Sequence, residues 1–520
     1  MNHQSDEPHC GKDAPWQCGG FLPKSYLFSI DPVEPTPANL REIPLPSGHL
    51  FLSPDYYCCV RHWGSGFMAL IGHCIDLAEP SNDEAAIVLE LLRRATEEGI
   101  DAMLAHIDDL FGRFAAVCRV AGDWCVFADA CATRTVYFAE DRPAIASHST
   151  MLGDLIGGTP RMEIFQHYWC ALPGNASPVA GVRVLPANFA LDLASRRMRR
   201  FWPRTDRNER APAVLIDELD RLLDTAANAV AARWKPILSL TAGLDSRLSL
   251  SVYHRMPDLV AFTYHRDQRD TTDVEVARRL CERLGIEHRR LVPVEYRCAR
   301  RAYELIEAIP DCTFDKSVAP IYLDGFQGND PAVIHVRSSL AEIGRAFWRY
   351  HPGMPTTIDP DNWTQVSLAR ATIGLPKREE AADYMRREMR RFFQAVGYAS
   401  IDPRSPEIRG YDVWDLVYME HRMSTWHAQA LLGSDMTFDT SILFNSRRIL
   451  DLLMAVPLPD RRNATLFRMI IARRCPQLSD IPINPRPRRT FGQLAAGAYR
   501  QVKRRVRLVQ ALETRLRLRH

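Results

Sequence analysis

Along the first two hundred residues the apolar positions fall in short runs broken by turn-forming residues. The runs at 67–71, 112–118, 124–128, 135–138 and 144–147 have the length and bounding of β-strands, and 83–98 reads as one helix. This pattern predicts an antiparallel sheet domain with helices packed on it. The segment 203–212 is polar, rich in arginine and has proline at both ends, which places a domain boundary there. The expected domains are therefore 1–205 and 206–520.

After the boundary the rhythm changes. Leu215, Ile216, Leu219, Leu222, Leu223, Ala226 and Val230 mark one helix face. Short apolar strands are predicted at 237–240, 259–264, 291–294 and 333–336, with helices at 246–254 and 272–284, the second stopped by Gly285. Strands alternating with helices imply an α/β parallel sheet with right-handed crossovers, whose ligands bind beyond the carboxyl ends of the strands. From about Asp359 onward the pattern is mainly helical.

Composition narrows the function classes. Hydrophobic residues make up 46% of the 520 and charged residues 25%, ordinary for a globular chain long enough for two to four domains. No apolar run is long enough to span a membrane, and the first twenty residues lack the apolar core of a secretory signal, so the expected location is cytoplasmic. Thirteen cysteines without repeated spacing, and no C-x-x-C pair, argue against a disulfide framework or a zinc site. A net charge of +3 argues against nucleic acid as a partner. The basic residues comprise six lysines and sixty arginines, and the stretch 499–520 carries eight Arg or Lys and one acid. That tail reads as a basic amphipathic helix, packed on the body or presented to an acidic partner or peptide.

The candidate chemistry lies at 240–246, where Leu240, Thr241, Ala242, Gly243, Leu244, Asp245 and Ser246 join a strand to a helix. The first amides of a helix have no internal partners and face outward at its positive end, which suits a phosphate. Thr241 and Ser246 add hydroxyls, and Gly243 allows close approach of the backbone. Asp245 beside a polyphosphate needs a cation between them, which makes it a candidate Mg²⁺ ligand. A helix N-terminus capped by Thr241 or Asp245 would give the same residues without any ligand.

The segment 241–246, T-A-G-L-D-S, resembles the S-G-G-x-D-S pyrophosphate loop of the ATP-pyrophosphatase ligases. Several further motifs resemble the asparagine synthetase family, which includes β-lactam synthetases and lasso-peptide cyclases. L-F-G-R-F-A at 110–115 is similar to its L-x-G-x-F-A strand, and D-A-C-A-T-R-T-V-Y-F at 129–138 to its D-x-x-G-x-x-P-L-Y-Y turn. Ile145-Ala146-Ser147, Phe201-Trp202, the strand 261–264 containing Thr263, and the helix from Thr272-Asp273 to His288 follow in the family's order. Leu443-Phe444 with 448–457, and R-P-R-R-T-F at 486–491, resemble its C-terminal motifs, with Arg488 in place of a lysine.

The resemblance implies an Ntn-like antiparallel sandwich followed by an ATP-pyrophosphatase domain with a helical C-terminal part. It implies ATP and Mg²⁺ as cofactors, adenylation of a small-molecule or peptide carboxylate, and transfer of the acyl group to an amine. Leu240, Thr241, Gly243, Ser246, Thr263, Ser338 and Ser339 are the expected nucleotide-binding residues. Asp245, Glu342 and Arg488 are the expected catalytic residues, the first two also binding the metal. Glu342 falls at or one residue from the second metal carboxylate of the family pattern S-G-x-G-x-D-E-x-x-G-G-Y, and on a helix it could instead pair with Arg345. Glutamine-using members begin at a cysteine whose own amine serves as base. Position 2 is Asn2, and Cys18-Gly-Gly-Phe21, which echoes the family's start, is internal, so no glutaminase activity is expected. A glutamine-hydrolysing enzyme processed to Cys18, and a catalytically silent nucleotide- or partner-binding scaffold, are the alternatives.

Overall fold

The computed structural model describes residues 22–37, 39–54, 56–80, 83–159, 172–292, 330–348, 358–361, 363–364, 378–398 and 408–485. Arg488, the basic tail and Cys18 lie outside these residues.

The N-terminal half holds two antiparallel sheets. Its strands are β1 (Tyr26–Ser29), β2 (Arg41–Ile43), β3 (His49–Leu52), β4 (Cys58–Trp63), β5 (Gly66–Asp76), β6 (Leu110–Val120) and β7 (Asp123–Ala128). They continue with β8 (Tyr137–Ala139), β9 (Ala144–Ala146), β10 (Val182–Val184), β11 (Phe189–Asp192) and β12 (Arg197–Arg200). One sheet runs β10-β8-β9-β1-β3-β2 and the other β12-β11-β7-β6-β5-β4. The sheets meet through an apolar layer in which Phe28 of β1 lies 5.3 Å from Trp124 of β7, ring to ring. Helix α1 (Glu84–Glu97), capped by Asp83, covers β4 and β5, and α3 (Ser149–Ile156) covers β8 and β9. Short α2 (Ile100–His106) lies between. All eleven residues of β5 are buried, because it has a sheet on one face and a helix on the other.

Helix α4 (Pro212–Arg233) opens the second half with proline in its first turn, where a missing N–H costs nothing. It buries the apolar face expected from its spacing. A five-stranded sheet follows, ordered β15-β14-β13-β16-β17, with every neighbouring pair parallel. Its strands are β13 (Lys235–Ser239), β14 (Val260–Tyr264), β15 (Glu287–Leu291), β16 (Val333–Arg337) and β17 (Asp439–Ile442). Helix α5 (Leu244–Tyr253) follows β13, and α6 (Thr271–Leu284) follows β14 and ends at Gly285 with φ 69°. Later helices include α7 (Ala341–Gly344), α8 (Arg378–Val396), α9 (Val413–Val417), α10 (Ala428–Ser434), α11 (Arg447–Ala455), α12 (Leu458–Asn463) and α13 (Thr465–Arg474), with a π-helix at Tyr418–His427 between α9 and α10.

Two strand expectations are corrected. The strand expected at 291–294 is β15, four residues earlier. It is an edge strand whose Glu287, Arg289 and Arg290 face outward, so no apolar run announces it. The mainly helical C-terminal part also contributes β17, whose polar Thr440 and Ser441 are fully buried at the sheet edge.

The two halves share one hydrophobic core and a buried polar joint. Arg113 of β6 forks onto Asp435, with Nη2 2.9 Å from Oδ2, and Arg134 reaches the same oxygen at 2.9 Å. All three side chains are at most 1% exposed. Burial would lift the Asp435 carboxyl, but Arg113 and Arg134 hold it far below the usual carboxylate range. Asn445 completes the joint by donating to the Gly112 carbonyl at 2.6 Å and to Asp129 at 3.0 Å.

Candidate functional site

The loop between β13 and α5 leaves the carboxyl end of the central strand of the parallel sheet. Leu240 is buried, and its amide donates to the Phe262 carbonyl at 2.8 Å. Its own carbonyl accepts from the Thr263 hydroxyl at 2.7 Å. These two bonds lock the loop onto β14. Thr263 is itself buried, with His288 Nε2 3.0 Å from its hydroxyl oxygen.

The loop amides that precede the helix have internal partners. Thr241 N–H donates to Ser246 Oγ at 3.1 Å, and Gly243 N–H donates to Thr241 Oγ1 at 3.1 Å. Ala242 N–H donates to Asp273 Oδ1 at 2.8 Å, and the Ala242 carbonyl accepts from Asn484 N–H at 3.0 Å. The hydroxyls of Thr241 and Ser246 therefore shape the turn. What helix geometry leaves without an acceptor is the first turn of α5, the amides of Leu244, Asp245 and Ser246. Gly243 is the N-cap with no side-chain cap, and a Cβ there would sit 3.1 Å from Thr241 Oγ1.

Asp245, in that first turn, and Glu342, on α7, flank a single guanidinium. Arg345 Nη2 lies 2.5 Å from Asp245 Oδ2. Asp245 Oδ1, Glu342 Oε2 and Arg345 Nε are buried without a hydrogen-bond partner among the described residues. Burial, reinforced by the Asp245 charge, pushes the Glu342 carboxyl up to about 7. Burial also raises Asp245, against the pull of Arg345. The guanidinium thus pairs with Asp245, not with Glu342 as its position on the same helix suggested. Tyr418 and Arg422 of the π-helix also act electrostatically on the pair, at a helical irregularity of the kind frequent at functional sites.

Ser338 and Ser339 follow β16 on the turn into α7. Ser338 Oγ donates to Ser249 Oγ of α5 at 2.7 Å, which ties the turn after β16 to α5. Leu340 and Ala346 on either side of Glu342 have left-handed backbone, φ 74° and 49°, a strained state for residues with a Cβ. The geometry therefore brings Thr241, Gly243, Asp245, Ser246, Glu342 and Arg345 to one end of the sheet. Asp273 escaped the sequence reading as a loop partner. Its signal was present in the motif that begins α6, but only the fold shows which amide it reaches. Among the described residues no cluster of three or more His, Cys, Asp or Glu is arranged to hold a metal.

No protein-family pattern matches the chain, and neither does any curated protein sequence. Among solved structures, glutamine phosphoribosylpyrophosphate amidotransferase from B. subtilis is similar over 62% of this chain and 71% of its own, at 12% identity and a TM-score of 0.21. NMN synthetase from Francisella tularensis matches 53% of this chain and 99% of its own, at 13% identity and a TM-score of 0.19. NAD+ synthetase from Burkholderia pseudomallei matches 52% and 91%, at 13% identity and a TM-score of 0.17. Likenesses this slight carry no argument about chemistry.

Proposed function

We propose that the chain is an AMP-forming, ATP-dependent carbon–nitrogen ligase of the asparagine synthetase kind, with an amidotransferase-like domain at 1–205 and an ATP-pyrophosphatase domain at 206–520. The observation that carries this reading is the buried acid pair Asp245–Glu342 at the mouth of the loop, with Arg345 turned to Asp245 and one oxygen of each carboxylate left without a hydrogen-bond donor among the described residues. Two buried carboxylate oxygens without donors, facing one another across a partly desolvated place, call for a cation.

The donor set fits Mg²⁺, which takes oxygen ligands and is commonly held by one or two carboxylates plus substrate phosphates. Asp245 and Glu342 would hold it, and once bound it would neutralise polyphosphate oxygens. The family pattern supports the assignment of Glu342. When Glu342 is placed at the pattern's aspartate, two of its glycines fall on Leu340 and Ala346, the two positions with left-handed backbone. In this reading the first amides of α5 receive the phosphates, the substrate carboxylate attacks the α-phosphorus, and pyrophosphate leaves. An amine then displaces AMP from the acyl-adenylate. The chain's own contribution is positioning and charge neutralisation.

The N-terminal half serves as scaffold in this proposal. Burial pushes the thiols of Cys58, Cys74 and Cys131 up, the opposite of what an activated nucleophile needs. A second reading, a nucleotide-binding scaffold without turnover, is favoured by Asp273 occupying the Ala242 amide. Incubation with MgATP and a panel of amino acids and short peptides, followed by nucleotide chromatography, separates the two. AMP and pyrophosphate are expected, ADP would exclude the mechanism, and unchanged ATP across the panel would favour the scaffold.

A further inference from the structure

In a chain with sixty arginines, unpaired guanidiniums are informative. Around the outer face of α5, Arg283 pairs with Asp480, Arg473 with Asp217, and Arg474 with Asp220 and Asp224. Arg247 and Arg468, from α5 and α13, have no carboxylate partner among the described residues. Both line a cleft of 490 Å³ between the two helices and the segment 478–483. That volume lies within the range of small-molecule sites, roughly 300–1,000 Å³.

The cleft has an apolar floor of Leu244, Ile471, Leu478 and Ile481, and no carboxylate stands among its lining residues. Arg247 is 2% exposed. Its guanidinium donates only to neutral carbonyls, those of Ile481 at 2.5 Å, Pro482 at 2.9 Å and Leu478 at 3.4 Å. Its Nε is buried with no partner among the described residues. Arg468 is exposed, and its Nε meets the Asn463 carbonyl at 3.2 Å.

A purely structural role would explain the three carbonyl bonds, which staple the segment 478–482 to α5. It does not explain a second cation placed on the same cleft with no acid among the described residues to balance it. A buried charge is costly without a counter-charge, and two forked guanidiniums match a carboxylate. We infer that this cleft binds a small carboxylate with an apolar body, its head on Arg247 and Arg468 and its body on the apolar floor. The cleft adjoins the loop, sharing Leu244 with it, and its occupancy does not depend on the reaction proposed there.

Titration calorimetry of the full chain without nucleotide, using n-octanoate, 1-octanol and inorganic phosphate as probes, tests the inference. Octanoate should bind saturably, with octanol and phosphate each at least about tenfold weaker, the scale of one charge-assisted hydrogen bond. Arg468→Ala should weaken octanoate by about tenfold. Ala472→Trp, on the exposed rim of the cleft, should abolish binding without touching the core. No saturable binding of octanoate would overturn the site, and octanol binding as well as octanoate would overturn the role of the arginines. Phosphate binding as well as octanoate would overturn the apolar body, and unchanged binding in an Ala472→Trp protein of normal Tm would overturn the location.

Discussion

Replacing Glu342 with glutamine should move stability and activity in opposite directions. In the folded chain, burial and the Asp245 charge raise the Glu342 carboxyl from its ordinary 4.5 to about 7. An acid whose folded pKa lies above its unfolded one binds its proton more tightly when folded. Its effect is therefore absent at low pH and becomes destabilising as pH rises from 4.5 through 7. At about 1.36 kcal/mol per pH unit the full displacement is about 3 kcal/mol, and solvent screening of a half-buried side chain trims it to about 2–3 kcal/mol. Glutamine keeps the shape and removes the charge. In urea denaturation with chelator present, Glu342→Gln should exceed the parent by about 2–3 kcal/mol at pH 8 and match it at pH 4.5. Adding Mg²⁺ at pH 8 should stabilise the parent and leave the variant nearly unchanged, while AMP formation is lost in the variant. Equal stability of the two metal-free proteins at pH 8 would refute the claim that Glu342 carries an uncompensated buried charge.

Asp245→Asn should lower ATP–pyrophosphate exchange by at least about a hundredfold, the scale of one lost electrostatic contact at a reacting phosphate, with circular dichroism unchanged. Arg488→Lys should retain most of the activity, whereas Arg488→Ala should lose about 2–4 kcal/mol of transition-state stabilisation in kcat/KM; a silent Arg488→Ala would place that side chain in a solvated loop. Asp435→Ala leaves Arg113 buried without its counter-charge and Arg134 with only Asp439, 3.9 Å away, and should cost about 3–5 kcal/mol in chemical denaturation, whereas a loss below about 1 kcal/mol would mean that water or Asp439 takes its place.

Legibility in the sequence followed burial only in part. The strands read from apolar runs, β5, β6, β7, β8, β9, β13, β14 and β16, are interior members of their sheets, but the interior β1, β3 and β11, each only four residues long, were missed. The outermost strands, β2 and β10, β4 and β12, β15 and β17, were missed or displaced. An edge strand has one unpaired side and tolerates charge there, as Arg197–Arg200 and Glu287–Leu291 show, so it carries no apolar signature. The loop and its Asp245 could be placed because small residues between a strand and a helix have few other uses. The partner of Asp245 could not. Glu342 and Arg345 lie on the same short helix, and only the approach of α5 decides that the guanidinium turns to Asp245. Asp273 and Asp435 escaped for the same reason, since their partners lie 31 and 322 residues away in the chain.

The joint at Asp435 bears on how such a chain can change over generations. Its two guanidiniums come from strands and turns of the first half and its carboxylate from the second, all three sealed from water. Loss of one arginine leaves Asp435 with the other, but loss of Asp435 strands Arg113, so the carboxylate is the most constrained of the three. Relatives that lack Asp435 should therefore also lack Arg113, and a recombination that swaps one half alone should be tolerated only where the incoming half carries the matching charge.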